Sequence, residues 1–377
     1  MSSEPKDAPP SPAIPERLAS IDALRGFDMF WIVGGDEVAH ALGKWWGGPH
    51  GERFAEQFEH VDWEGFRFYD LIFPLFLFVV GVVLPFSLRK YTTGDHPRSA
   101  PLGRIARRVA LLFFCGLLYN NLLQFHFDSL RITGVLQRIA ICYGAAALFY
   151  LFLTTRARVI LVIAILLGYW GVLALVPSPE SKAGDYSKET NLAGYVDRHY
   201  LPGKIYESYY GYGDNEGLLS TIPAVATALL GVFAGEWLLS NRGKWLKALG
   251  LALAGLACLG LGTLWGHVFP VIKILWTSSY LLIAGGWSLI LLSLFYTVID
   301  VIKLRAWAFF LIVIGMNAIT IYLATHFIPF DEMAQKILGG LARHAGEFKP
   351  VVIPLGTLAL EWLLLYHLYR NRVFLRV

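Results

Sequence analysis

The segment EHVDWEGFRFYDLIFPLFLFVVG, residues 59–81, sets a group of ionisable side chains directly against an unbroken apolar run. His60, Asp62, Trp63 and Glu64 come first, and Asp70 follows at the edge of the run. Ionisable groups are costly to keep where a helix enters a bilayer, so their retention there points to function. A histidine titrating near neutral pH can strip the proton from an ammonium, and a positioned base of this kind contributes about 10²–10⁴-fold to a rate. A neighbouring carboxylate would fix the tautomer and raise the basicity of the ring, and Asp36 and Asp62 are the candidates. The same imidazole could instead act as a nucleophile and carry a transferred group itself, splitting one transfer into two steps. Residue types alone leave both routes open. The competing reading is a surface loop that leads into an ordinary membrane anchor.

The composition decides the setting. Of 377 residues, 56% are hydrophobic, 15% aromatic and only 16% charged, with a mean hydropathy of +0.52. Soluble domains carry roughly 25% charged residues. The chain therefore reads as an all-α, polytopic integral membrane protein. The net charge of +4 is small and its basic residues sit in short loops, which speaks for orientation in a membrane and against nucleic-acid binding. Cys115, Cys142 and Cys258 lie inside apolar segments without metal-ligand spacing, so they read as packing residues, and no metal site is expected.

Residues 1–16 are rich in Pro and Ser and lack an apolar h-region, which predicts a disordered tail ahead of one membrane domain over 17–377. Ten spanning helices are expected near 22–42, 68–88, 104–124, 134–153, 158–176, 218–239, 246–266, 274–299, 306–327 and 351–369. The 89–108 connection holds Arg89, Lys90, Arg98, Arg104, Arg107 and Arg108 against Asp95, and further basic turns lie at 156–158, 242–247 and 303–305. Arg370, Arg372 and Arg376 add to the same side. The alternate loops are acidic or mixed, with five acids and three bases in 43–67 and seven acids and four bases in 177–217. The positive-inside rule then puts both termini in the cytoplasm and His60 on the outer side.

Polar residues inside the spans collect toward that outer side. Asp36, His60, Asp70, Gln137, Arg138, Asp214, Asn215, Glu216, Lys273, Thr277, Ser278 and His326 all fall near outer helix ends, with Asn317 nearer mid-span. Singly, such residues are usually interhelical hydrogen bonds. Together they suggest a water-accessible vestibule. An oxygen that gains negative charge during a reaction needs donors, for which Lys273, Thr277, Ser278 and Asn317 are candidates. Arg25 and Arg138 are candidate cofactor contacts, and Trp63, Asp70, Asp214 and Glu216 candidate acceptor contacts. On the inner side Asp22 and Arg25 stand three apart and should pair. The GRIARR run at 103–108 serves orientation or lipid phosphates by default, and the phosphates of a cytoplasmic cofactor otherwise.

Several motifs in one order carry a family resemblance. RLASIDALRGFDMF, HVDWEGFRFYDLIFPLFLFVVG, ITGVLQRIAICY, EGLLSTIPA, KILWTSSYLL and GMNAITIY together resemble the heparan-α-glucosaminide N-acetyltransferase family and its bacterial relatives, from about residue 17 to the last helix. The resemblance implies a transmembrane acetyltransferase that takes acetyl from cytoplasmic acetyl-CoA and gives it to an extracytoplasmic amino sugar or glycan. It also implies a multi-pass protein of a bacterial inner membrane, and a homodimer. The family's catalytic histidine lies in H-x-x-W-x-G ahead of D-L-x-F-P, which maps onto His60, Trp63, Gly65, Asp70, Leu71, Phe73 and Pro74. A functional asparagine eleven residues after the Arg of R-G maps onto Asp36, so the position matches and the residue does not.

Three other readings stand beside this one. A transporter or flippase of a lipid-linked sugar would line a midplane path with polar residues, and no paired inverted halves are evident here. An O-acyltransferase of an envelope glycan would share the donor and differ in the acceptor atom. A non-catalytic scaffold would tolerate substitution of His60, Asp36 and Lys273.

Overall fold

The computed structural model describes residues 18–94, 96–206 and 210–375. The expected tail at 1–16, together with Asp95 and Arg376 of the charge argument, lies outside the described residues. Helices run α1 Ala19–Phe30, α2 Asp36–Trp46, α3 Gly48–Glu56, α4 Ile72–Leu88, α5 Leu102–Tyr119, α6 Val135–Phe152, α7 Thr155–Leu175 and α8 Leu192–Tyr200. They continue as α9 Leu218–Leu238, α10 Lys244–Gly266, α11 Ser278–Phe295, α12 Phe309–Met316, α13 Ala318–Phe327, α14 Phe330–His344 and α15 Lys349–Arg370. Among the described residues there are no strands, only isolated bridges between Glu64 and Ile272 and between Arg131 and Gly203.

The expected all-α membrane architecture holds. Among the described residues seven helices are long and apolar enough to cross a bilayer, and α12 with α13, bent by 73°, makes an eighth if counted as one span. The expected spans at 22–42 and 104–124 fall on α1–α2 and α5, which do not meet that measure. Charge is the physical reason. Asp22, Arg25, Asp28, Asp36 and Glu37 interrupt the first, and Arg104, Arg107 and Arg108 the start of the second. Between α1 and α2 the backbone loosens into a wider turn over Trp31–Gly35, where Gly34 adopts φ +128. A side chain is strained at that angle, so glycine is what lets the chain bend there.

Helix α4 is the centre of the bundle, with Leu75, Leu77, Phe78 and Val82 fully enclosed. Lipid offers no hydrophobic drive between helices, so close backbone packing has to hold them together. At the α4–α9 crossing a Cβ on Gly81 would lie 1.9 Å from the Ala228 carbonyl oxygen, and one on Gly231 2.0 Å from that of Phe78. The α1–α12 crossing repeats the device, with Gly26 against Leu311 and Gly315 against Asp22. By contrast α7 and α10 present Ile160, Ile163 and Leu167, and Leu249, Leu253 and Leu256, on their outer faces, as lipid-facing helices do. Between the spans, α2, α3, α8 and α14 are helical where the sequence suggested loops or a shorter span.

Candidate functional site

The His60 segment is pinned on both sides before it reaches α4. Gly65 N–H donates to the Val271 carbonyl at 2.8 Å, next to the bridge between Glu64 and Ile272. Trp63 donates its indole N–H to the Tyr186 carbonyl at 2.8 Å and stacks on Tyr210 at 5.2 Å. These ties hold the 60–66 loop against the loop that carries Lys273. On the far side, Tyr169 and Tyr280 donate to the Leu275 and Asp70 carbonyls at 2.5 and 2.8 Å. Thr277 caps α11 and accepts from Ile272 N–H at 3.1 Å.

The ring of His60 is therefore placed, not free. Its Nδ1 lies 2.8 Å from Oδ1 of Asp70, whose other oxygen accepts from Arg67 N–H at 3.0 Å. Lys273 Nζ lies 2.9 Å from Nδ1 and 3.2 Å from Nε2, and 3.4 Å from Asp70 Oδ1. Tyr69 stacks on the imidazole with centroids 4.7 Å apart and hydrogen-bonds Asp36. The carboxylate on the histidine is thus Asp70, and neither of the expected Asp36 and Asp62. Asp36 stands one ring away, behind Tyr69, and Asp62 is drawn outward to Lys188 Nζ at 2.9 Å. Spacing alone does not reveal this pair, because Asp70 is ten residues from His60 and meets it only in the fold.

Burial, and then the Lys273 charge, hold His60 below the ordinary histidine range, with Asp70 pulling the other way. Burial likewise lowers Lys273, against the stabilising charge of Asp70. An imidazole whose pKa is held down and whose Nδ1 is committed to a carboxylate presents Nε2 as its lone pair.

His60, Tyr69, Lys273 and Trp276 line a cavity of ≈ 590 Å³ together with Arg131 and Glu216. Trp276 enters it in a left-handed conformation, φ 52, fastened by its N–H to Thr227 Oγ1 at 3.0 Å. A bulky residue is rarely held this way except at a constrained site. Arg131 forks onto Asp214 at 2.7 and 2.8 Å and also bonds Glu216, beneath the Tyr206 ring. Against the upward push of burial, that guanidinium holds the Asp214 carboxyl below its usual range. The expected acceptor contacts Asp214 and Glu216 are thereby joined at one arginine, which the sequence reading did not single out. The available signal was that Arg131, in LRITG, is the one Lys or Arg between Arg108 and Arg138.

The remaining expected residues divide. Arg138 is enclosed beside this cavity, with its guanidinium 5.0 Å over Trp276 and Nη2 donating to Ser220 Oγ at 2.5 Å. Trp63 and Asp70 support the histidine loop from outside the cavity wall. Thr277 and Ser278 are committed to structure, Ser278 donating to the Leu166 carbonyl at 2.8 Å, so they do not serve as thioester donors. Asn317 sits at the α12–α13 bend and donates to the Val373 carbonyl at 3.2 Å, which ties down the C-terminal segment. Arg25 pairs with Asp22 at 2.7 Å as expected and donates to the Gly315 carbonyl at 2.6 Å.

Arg25 belongs to a second cavity, ≈ 390 Å³, with Arg108, Ser87 and Tyr143 on its wall. The two cavities stand end to end on the same four helices. Phe73 and Phe76 of α4, Gly116 and Leu112 of α5, Leu136 and Ile139 of α6, and Tyr322 and Ile319 of α13 each pair a residue of the first with one of the second, about one helical turn on. Such a column through the bundle suits one long ligand better than two short ones.

Comparison with known proteins bears on that shape. Curated proteins named heparan-alpha-glucosaminide N-acetyltransferase match from Homo sapiens, 28% identical over 97% of this chain, and from Mus musculus, 26% identical over 96%. The chain resembles this family along nearly its whole length. It spans about 60% of the length of these relatives. A family model described as a domain of unknown function (DUF5009) matches residues 17–177, which include α1 through α7 and the His60 segment. Among the described residues no cluster of His, Cys, Asp and Glu has the form of a metal site.

Proposed function

We propose that the chain is a transmembrane acetyltransferase that moves acetyl from acetyl-CoA to an amine on the far side of the bilayer, an amino sugar or glycan being the acceptor class. Residues 17–377 act as one catalytic unit, in the inner membrane of a bacterium. The observation that carries the reading is the His60–Asp70 pair at one end of a column of two cavities whose other end holds Arg25 and Arg108.

Acetyl-CoA supplies an activated acyl group as a thioester and, at its other end, phosphates. Arg25 and Arg108 are the residues suited to those phosphates, as guanidinium forks match their geometry. Arg108 already holds one buried nitrogen, Nε, without a hydrogen-bond partner. At the opposite end, Asp70 accepts the Nδ1 proton of His60 and leaves Nε2 to take a proton from the acceptor's ammonium. The freed amine attacks the carbonyl carbon of the thioester, the C–S bond breaks, and the nitrogen gives its second proton to the departing sulfur, so that CoA leaves as the thiol. Lys273, within hydrogen-bond distance of the same ring, favours neutral His60 and supplies positive charge where the carbonyl oxygen turns negative. Arg131, Asp214 and Glu216 form the polar wall against which an amine-bearing sugar is held.

The test is acetyl transfer by purified protein in proteoliposomes, with labelled acetyl-CoA outside or inside and glucosamine on the opposite side. Product should form only across the bilayer, and His60→Ala should lower the rate about 10²–10⁴-fold. Wild-type protein that neither consumes nor binds acetyl-CoA would end the reading.

A further inference from the structure

A third cavity, ≈ 270 Å³, opens at the C-terminal end of α4. It shares no residue with the second cavity: Leu84 and Ser87 face the one, Phe86 and Arg89 the other, so α4 lies between them. Arg89 after α4, Lys244 and Lys247 in the first turn of α10, and Arg305 before α12 converge on it. Its one carboxylate, Asp300, is engaged already, accepting from Ser20 N–H at 3.1 Å and lying 3.7 Å from Arg305. Among the described residues Arg89 donates only to the Leu239 carbonyl, at 3.4 Å. Neither Lys244 nor Lys247 meets a carboxylate among the described residues.

Two ammonium groups three residues apart on one helix face repel each other, at a cost that an anion set between them removes. The orientation rule accounts for basic residues at this end of the bundle, but not for their convergence from three separate connections on one recess. The rest of the wall is apolar, with Leu18, Phe86, Leu238 and Leu239 beside the ring of Tyr296. Cations set against an apolar wall is the arrangement that takes a phosphate headgroup with its acyl chains attached. We propose that this cavity binds an anionic phospholipid through its phosphate, Lys244 and Lys247 gripping the headgroup and Arg89 and Arg305 closing its sides. The site is separate from the acyl-transfer column and does not depend on it.

Thermal unfolding of the full chain in neutral detergent tests this, with added phosphatidylglycerol, phosphatidylcholine or inorganic phosphate. Phosphatidylglycerol should raise the midpoint by a few degrees and also be retained in native mass spectra. The Lys244→Gln/Lys247→Gln variant should lose both effects. An Arg242→Gln/Lys303→Gln variant removes the same charge from neighbouring turns outside the cavity and should keep them. Should the paired lysine variant fail to fold, Lys244→Gln alone is compared, and a halving or more of retained phosphatidylglycerol is expected. An equal rise with phosphatidylcholine, an unaltered response in the lysine variants, or the full rise from millimolar inorganic phosphate alone would each overturn the assignment, the last in favour of a soluble anion.

Discussion

Asp70 Oδ1 stands 2.8 Å from His60 Nδ1 and 3.4 Å from Lys273 Nζ, so a single enclosed carboxylate serves an imidazole and an ammonium at once. The carboxylate is fully buried while the ring is partly exposed, which leaves the ring as the member that meets substrate. Replacing Asp70 with Asn keeps the shape and removes the charge. The amide can hold Nδ1 without its proton, the wrong tautomer for a base at Nε2. Acetyl transfer by Asp70→Asn should fall on the order of 10²–10⁴-fold with little change in acetyl-CoA binding, as measured by kcat against KM.

Lys273 tunes the ring. Since burial and then the lysine charge lower the His60 pKa, neutral imidazole persists into mildly acidic solution. The acid limb of kcat/KM should therefore lie below the ordinary value of about 6.5. Lys273→Met deletes the second of those causes and leaves Asp70 pulling upward. Its acid limb should move to higher pH, and the direction decides the matter: a limb that stays or falls refutes the role given to the lysine.

Arg108 tests the other end of the column. Its guanidinium lies 4.6 Å from the Tyr143 ring centroid on the wall of the second cavity. Losing one charged hydrogen bond costs about 1.5–3 kcal/mol. Arg108→Ala should thus raise KM for acetyl-CoA roughly 10- to 100-fold and leave KM for the acceptor unchanged. Arg25 is the poorer probe, since it also braces the α1–α12 crossing through the Gly315 carbonyl.

Asp197 makes stability depend on pH. Burial first, and the Asp214 charge among lesser causes, push its carboxyl up to about 6, even though it accepts from the Leu218 and Asp214 amides. The folded value exceeds the 3.8 of a free aspartate, so protonation favours the folded state. That stability is fully present below about 4 and is lost as pH rises through about 6. The unfolding midpoint should rise as pH falls from 7.5 to 5, and Asp197→Asn should flatten the rise.

The glycine crossings set the stability of the bundle. Gly231→Val would drive side-chain atoms into the Phe78 carbonyl at the α4–α9 crossing. Overpacking of this kind costs about 1–3 kcal/mol or more. A lower unfolding midpoint is expected, together with loss of activity, because α4 carries residues of both cavities.

Much of this was legible in the sequence, for identifiable reasons. Apolar runs of bilayer length gave α4, α6, α7, α9, α10, α11 and α15, and a histidine before one of them gave the site. What was hidden depended on contacts distant along the chain. Asp70 reads as the polar start of a helix, and Thr277 and Ser278 look like donors until their hydroxyls are found engaged. Arg131 sits in a short turn, and its partners lie 83 and 85 residues further on. Charge hid α1–α2 and α5 in the opposite sense. Their motifs suggested spans, yet several of the charges they carry, Asp22, Arg25 and Arg108 among them, face a partner or a cavity inside the bundle.

The missing Cβ atoms at Gly26, Gly81, Gly231 and Gly315 leave main chain lying directly on main chain. Such contacts have no side chains between them to act as bearings, so these helices cannot rock past one another without prising the backbones apart. Under the transfer proposed above, the crossing then falls to the traveller, a thin flexible arm threading stationary walls, and not to a protein that opens first to one side and then to the other.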